Sequence, residues 1–117
     1  MQYKKMSALE WIDRFTYKKN IVFDETSLDC NNATFQIVRF VSHASIGEHW
    51  HSKTTELFFV QSGVGIAIIN NQEVSLKAGG ILLCEKGDHH AFINTGAEDL
   101  ILLDIKFNAD EQDIIWK

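Results

Sequence analysis

The sequence predicts an all-β domain, and three observations lead there. Apolar residues alternate with the period of two that a half-buried strand requires, most plainly over Leu100 to Phe107. There Ile101, Leu103, Ile105 and Phe107 share one face and Asp104 and Lys106 the other. Turn chemistry recurs at short intervals: Gly63 and Gly65, Asn70-Asn71, and Ala78-Gly79-Gly80. Finally, 117 residues with 45% hydrophobic content make one domain with a full core, able to bury about two-thirds of its unfolded surface.

Near the start, Ser7-Ala8-Leu9-Glu10 has the S-x-x-E form of a capping box. Leu9, Trp11, Ile12 and Phe15 follow at roughly helical spacing, which predicts a short N-terminal helix from about Ala8 to Phe15, lying against the β-core. Ile21-Val22-Phe23 reads as a short strand and the polar run Asp24 to Asn32 as a surface loop. Regular β-structure begins near Thr34. Phe35, Ile37, Arg39 and Val41 share one face of this strand, Gln36, Val38, Phe40 and Ser42 the other, and the pattern leaves open which is inward. With the first face inward, Arg39 would be a cation suited to a carboxylate; a surface arginine is the favoured reading.

Gly47-Glu48 leads into a strand carrying His49, Trp50 and His51, and Glu56 to Val60 returns with Phe58 and Val60 on the face of Glu56. Val64, Ile66 and Ile68 alternate along the next strand, Asn70-Asn71 turns the chain, and Val74 and Leu76 come back. Ile81 to Cys84 is an apolar strand, after which parity lets only one of His89 and His90 face inward. The chain thus divides into an N-terminal helix and strand (1–33), a core (34–107) and an acidic tail (108–117). The tail ends in Ile114-Ile115-Trp116, apolar residues that need cover from the same chain or a second subunit.

The chemistry concentrates between Gly47 and Asn94. Residues two apart on a strand point to one face, so His49 and His51 lie side by side with Trp50 opposed. Glu56 lies beyond the short turn Ser52-Lys53-Thr54, where a returning strand can bring it opposite the histidines. Two imidazoles and a carboxylate on one face are three metal-ligand groups that leave positions open for water or substrate. A fourth ligand must come from elsewhere, and His90 is a candidate.

These residues resemble the two motifs of the cupins. In the first motif, G-x5-H-x-H-x3–4-E-x6-G, His49, His51, Glu56 and Gly63 fit, and His43 stands where the opening glycine is usual. In the second, G-x5-P-x-G-x2-H-x3-N, Gly79, Gly87, His90 and Asn94 fit, and Glu85 replaces the proline. The resemblance implies a double-stranded β-helix, or jelly-roll barrel, of the small single-domain bacterial type. It also implies a divalent metal ion held by His49, His51, Glu56 and His90. The motif register selects His90 over His89, with Phe92 and Asn94 on its side. Imidazole suits Fe, Ni, Cu and Zn, and the carboxylate admits Mn as well.

Three functions remain open to such a centre. A metal-dependent dioxygenase acting on a small chelating oxo or hydroxy acid is slightly favoured. A sugar-acid isomerase or lyase would need a general acid or base, for which Glu48, His43, Asp88 and Cys84 are the candidates. The third is a non-catalytic module that binds a small molecule or metal. The expected pocket lining of Phe58, Val60, Phe92 and Ile101 is apolar, which fits a small, partly apolar chelating ligand. A net charge of −5 argues against non-specific nucleic-acid binding. No apolar run approaches membrane-spanning length and the start lacks a signal-peptide core. A cytoplasmic protein is therefore expected, with Cys30 and Cys84 as free thiols. Trp50, facing away from the histidines, is expected at a homodimer interface or under the N-terminal helix. The chain has no proline, which predicts mobile loops around the barrel mouth.

Overall fold

The alternation resolves into eleven strands in the computed structural model, which describes residues 1–117. They are β1 (Ile12–Asp13), β2 (Lys18–Phe23), β3 (Thr34–Phe40), β4 (Ser45–Trp50), β5 (Thr55–Ser62), β6 (Val64–Ile69), β7 (Gln72–Lys77), β8 (Ile81–Cys84), β9 (His90–Asn94), β10 (Leu100–Phe107) and β11 (Ile115–Trp116). They form two antiparallel sheets, ordered β1-β2-β3-β10-β5-β8 and β11-β4-β9-β6-β7. This is the double-stranded β-helix that the motifs imply. Phe40, Phe58, Val60, Phe92, Leu100 and Leu102 are buried together between the sheets, each worth about 1.5–3 kcal/mol of apolar burial. No helix is long and apolar enough to cross a membrane.

Register decides which side chains turn inward. On β10, Leu102 pairs with Val38 and Val60, Asp104 with Gln36 and Phe58, and Lys106 with Thr34 and Glu56. Directly paired residues share a face, so Gln36, Val38 and Phe40 of β3 point into the barrel. Leu100, Leu102 and Asp104 do the same, all three essentially without solvent contact. This inverts the face expected for β10: Ile101, Leu103 and Ile105 lie on the outer side and are half-buried, so Ile101 does not line the pocket. A strand in the middle of a six-stranded sheet carries apolar residues on both faces, and Asp104 is tolerated inside because other buried polar groups meet it. Arg39 is on the outer face, paired with Asp99 at 2.5 Å and 5.5 Å from the Trp11 ring.

The N-terminal segment is extended where a helix was expected. One 3-10 turn covers Met6–Ala8, and no side chain caps it. Ile12 and Asp13 then pair with Lys19 and Lys18, and Phe15 closes the hairpin at φ 73°. An eight-residue helix is marginal alone, whereas the free edge of β2 offers unpaired backbone groups. The only α-helical turn, α1 (Glu25–Leu28), lies in the run read as loop, with Asp24 accepting from the Ser27 N–H at 2.9 Å.

The turns explain two features of the sequence. Asn70 and Asn71 both have positive φ, as the two-residue β6–β7 hairpin requires. His43 has φ 65° and is exposed, so the position where the motif expects glycine does demand a left-handed backbone.

The tail docks within the chain, although Ile115 and Trp116 stay 41% and 53% exposed and only Ile114 is half-buried. β11 adds to β4, pairing Trp116 with His49 and Ile115 with Trp50. Ahead of it, the Asp113 carboxylate accepts from the Ser52, Lys53 and Thr54 N–H groups at 2.8 to 3.1 Å and from the Ser52 and Thr54 hydroxyls. Burial opposes its charge, but the donors from Ser52, Lys53 and Thr54 prevail and hold the carboxyl well below the usual carboxylate range. Trp50 lies on the far side of β4, its indole stacked on His89 at 3.9 Å with the planes 4° apart. No helix covers it.

Two outcomes follow. A depressed folded-state pKa means that the stability owed to Asp113 is complete above the unfolded value near 3.9 and is lost as pH falls below it. Asp113→Asn should therefore cost about 2 kcal/mol at neutral pH, read by urea unfolding, with the gap to wild type closing below about pH 4. An equal gap at both pH values would show that the charge is not what matters. His43→Gly, by relieving the left-handed strain, should raise the urea midpoint, by about 0.5–1 kcal/mol in stability; a lower midpoint would contradict this.

Candidate metal centre

Three strands bring the ligand-type side chains to one point. His49 on β4 is directly paired with His90, the first residue of β9, and His51 follows one residue beyond β4. Glu56 rises from β5, two positions before the Phe58 that floors the site. All four side chains are buried. One ring nitrogen from each of His49, His51 and His90 lies within 4.8 Å of the others. Glu56 Oε1 stands 2.8 Å from His51 Nε2 and 3.5 Å from His90 Nε2.

The backbone fixes the tautomers. Nδ1 of His49 donates to the Gly47 carbonyl at 2.8 Å, Nδ1 of His51 to the Asp113 carbonyl at 2.5 Å, and Nδ1 of His90 to the Asp88 carbonyl at 3.0 Å. A carbonyl only accepts, so each Nδ1 carries a hydrogen, and each ring in its neutral form presents the Nε2 lone pair inward.

That arrangement calls for positive charge at the centre. His90 Nε2 is buried with no hydrogen-bond partner. His51 Nε2 faces a carboxylate oxygen at hydrogen-bond distance, which is unfavourable unless a cation or a proton lies between them. Burial opposes charge on His51, but the hydrogen bond and charge of Glu56 outweigh it and raise its pKa. His49 is lowered to about 4, by burial first and then by His90. Glu56 is held well below the usual range: burial would raise it, but His51 at hydrogen-bond distance and the nearby His90 and Asp104 win. Three imidazoles whose Nε2 atoms converge beside a carboxylate are donors that suit a divalent transition metal, so the residues fit the ion, and the three histidines can hold one.

Asp104 is the residue that the sequence reading missed. Its carboxyl is buried near Glu56 and accepts from Gln36 Nε2 at 2.7 Å through Oδ2, while Oδ1 has no hydrogen-bond partner. Burial and then the charge of Glu56 push its pKa well above the carboxylate range, which favours the protonated form. The signal was an acid at every-second-residue spacing from Leu100 and Leu102, hidden because Ile101, Leu103 and Ile105 are apolar too. The four general-acid candidates named from sequence lie elsewhere. His43 is in its exposed turn, and Glu48 is on the outer side with Lys117 and near His89. Asp88 accepts from the Glu85 N–H and from Asn70. Cys84 is packed in the core, its thiol pushed up to about 12 by burial. Cys84 and Cys30 are both free thiols. Asn94 is structural: its amide donates to the carbonyls of Phe40 and Glu98 at 2.9 and 2.8 Å.

The side chains enclose a chamber of about 60 Å³, walled by Phe58, Phe92 and Leu102 and also reached by Gln36 and Asp104. At about 30 Å³ per water, it has room for an ion and a ligand of a few atoms. The largest concavity, about 1200 Å³, is an open polar groove that none of the three histidines lines.

Comparison with known proteins agrees with this architecture. The cupin domain family matches residues 36–106. An oxalate-binding protein of Thermotoga maritima is 33% identical over 60 residues, 51% of this chain and 50% of that one; the chain thus spans about half the length of this curated relative. A structure from Thermotoga maritima described as a predicted oxalate decarboxylase superposes with a TM-score of 0.81 at 23% identity, covering 91% of this chain and 98% of that one. A double-stranded β-helix protein from Klebsiella pneumoniae does so with a TM-score of 0.82 at 17% identity, covering 99% and 96%. With both motifs, the barrel and the family match in agreement, the chain belongs to the cupins.

Proposed function

We propose that His49, His51, His90 and Glu56 hold one divalent metal ion and that the centre takes a small chelating acid of the oxalate type, a 2-oxo or 2-hydroxy acid. The observation that carries this is the convergence of three Nε2 lone pairs whose ring hydrogens are all committed to backbone carbonyls. The size of the chamber and the name of the Thermotoga relative support the choice of ligand.

When bound, a divalent ion supplies Lewis acidity toward a carboxylate or carbonyl oxygen. The chain's own residues supply the rest. Phe58, Phe92 and Leu102 keep bulk water out of the chamber. Gln36 fixes Asp104 by donating to its Oδ2. Asp104, still protonated, is placed to deliver its proton to a ligand atom that gains negative charge. A lyase or isomerase needs such an internal acid and a dioxygenase does not. Asp104 therefore favours non-redox proton-transfer chemistry over the dioxygenase that the sequence put slightly ahead.

Elemental analysis of protein purified without a histidine tag tests the centre. Wild type should carry near-stoichiometric Fe, Mn, Ni, Cu or Zn, and His49→Ala/His51→Ala none. His90→Ala should bind the ion at least about 100-fold more weakly, whereas His89→Ala should not differ from wild type. Equal losses in the two single variants would remove His90 from the ligand set.

The acid is tested separately. Asp104→Asn should bind oxalate within about threefold of wild type yet lower turnover of the processed acid about 100-fold or more. Turnover that consumes oxygen and survives Asp104→Asn would restore the dioxygenase. Tight binding with no turnover of any small 2-oxo or 2-hydroxy acid would leave a binding module.

A further inference from the structure

Against the chamber lies a second cavity of about 330 Å³, open to solvent. Tyr17, Gln36, His51, Lys106 and Ile114 line both spaces, so the two adjoin, the larger as a vestibule to the smaller. Its remaining wall includes Arg14 and Lys19. The β1–β2 hairpin brings them there. Arg14 sits in its turn, with its N–H bonded to the Tyr17 carbonyl at 2.8 Å, and Lys19 points the same way as Tyr17 and Ile21 along β2. Tyr17 anchors the hairpin by packing on Phe40, with ring centroids 5.8 Å apart. Opposite, Lys106 rises from β10 beside Glu56.

None of Arg14, Lys19 and Lys106 forms an ion pair, although the chain makes them elsewhere, as between Arg39 and Asp99. Lys19 and Lys106 are half-buried, and Arg14 is exposed at the edge of the space. The charge on Lys19 is disfavoured, first by burial and then by Lys106 and Arg14. Two acids, Asp110 and Glu111, also line the vestibule, exposed as Arg14 is, and Glu111 offsets part of the burden on Lys19. Neither is ion-paired with the three cations, which outnumber them. Three cations gathered without partners around a semi-enclosed space that ends at a candidate metal ligand lack one thing, an oxyanion.

We propose that the vestibule is a second subsite, and that the ligand is longer than oxalate. One end chelates in the chamber, and a distal oxyanion, carboxylate or phosphoryl, lies among Arg14, Lys19 and Lys106. This rests on the reading of the chamber as a site for a chelating acid and narrows its substrate class to 2-oxo or 2-hydroxy acids with a second anionic group. Oxalate fits the chamber alone and leaves the cations unmet. The vestibule is also what the sequence could not offer: its single candidate cation, Arg39, is on the outside, and the three that reach the mouth come from a turn, an edge hairpin and a strand end.

Calorimetric titration of Mn²⁺- or Ni²⁺-loaded protein tests this with four probes: oxalate, pyruvate, a series of 2-oxo diacids of four to six carbons, and phosphonopyruvate. At least one doubly anionic probe should bind about tenfold or more tightly than pyruvate, and whether a diacid or the phosphonate does so identifies the distal group. In Arg14→Gln/Lys19→Gln that preference should shrink to about twofold, while oxalate affinity changes by less than about threefold. Arg14→Lys/Lys19→Arg, which keeps the charge, should retain the preference and guards against a folding defect. Equal binding of pyruvate and every doubly anionic probe, with oxalate still bound, would overturn the subsite alone. So would a double variant that weakens oxalate as much as the longer acids. Failure to bind oxalate or any 2-oxo acid would overturn the chamber reading, and the subsite with it.

Discussion

The hydrogen bond from each imidazole Nδ1 to a main-chain carbonyl is the constraint on which the centre depends. It fixes ring orientation and tautomer together, and it draws on three separate parts of the chain. The Gly47 and Asp88 carbonyls precede their histidines by two residues, so β4 and β9 orient His49 and His90 locally. The Asp113 carbonyl is 62 residues from His51. That ring is in place only when the tail is. Asp113 performs both parts of the docking, with its carboxylate closing the Ser52–Thr54 turn while its own carbonyl receives His51. The barrel and its last residues are therefore one cooperative unit around the site.

Much of this was legible in the sequence, and the misses share a cause. H-x-H fixes parity, and parity is all that is needed to turn His49 and His51 the same way. Glu56, expected on the same face from a returning strand, comes instead from the facing sheet, because β4 and β5 do not pair and the barrel brings their inner sides together. His90 needed the motif register because His89 beside it is chemically identical. Its two neighbours then go opposite ways, His90 into the chamber and His89 onto the indole of Trp50. Alternation failed where both faces of a strand are apolar. β10 reads equally well with Ile101 or Leu102 inward, and only pairing with β3 and β5 decides. Asp104 looked like a solvated acid for that reason, and became interior only through Gln36 and Glu56.

The N-terminal segment was illegible for a different reason. Its apolar spacing is compatible with one face of a helix, but the competition is settled by tertiary structure. An open sheet edge supplies backbone partners that a short helix must supply from itself. The outcome matters beyond secondary structure, because a helix there would not have carried Arg14 and Lys19 to the barrel mouth on a hairpin.

The docking of β11 also places an indole against a candidate ligand, with the ring centroids of Trp116 and His49 4.8 Å apart. Trp11 packs by Arg39 on the outer face of the other sheet and Trp50 stacks on His89, so the three tryptophans of the chain sit in three different surroundings. Paramagnetic or redox-active ions quench a nearby excited indole, and a closed-shell ion does so far less. An ion held by His49 would therefore be sensed by Trp116, whose emission would report the chemical character of the ion as well as its presence.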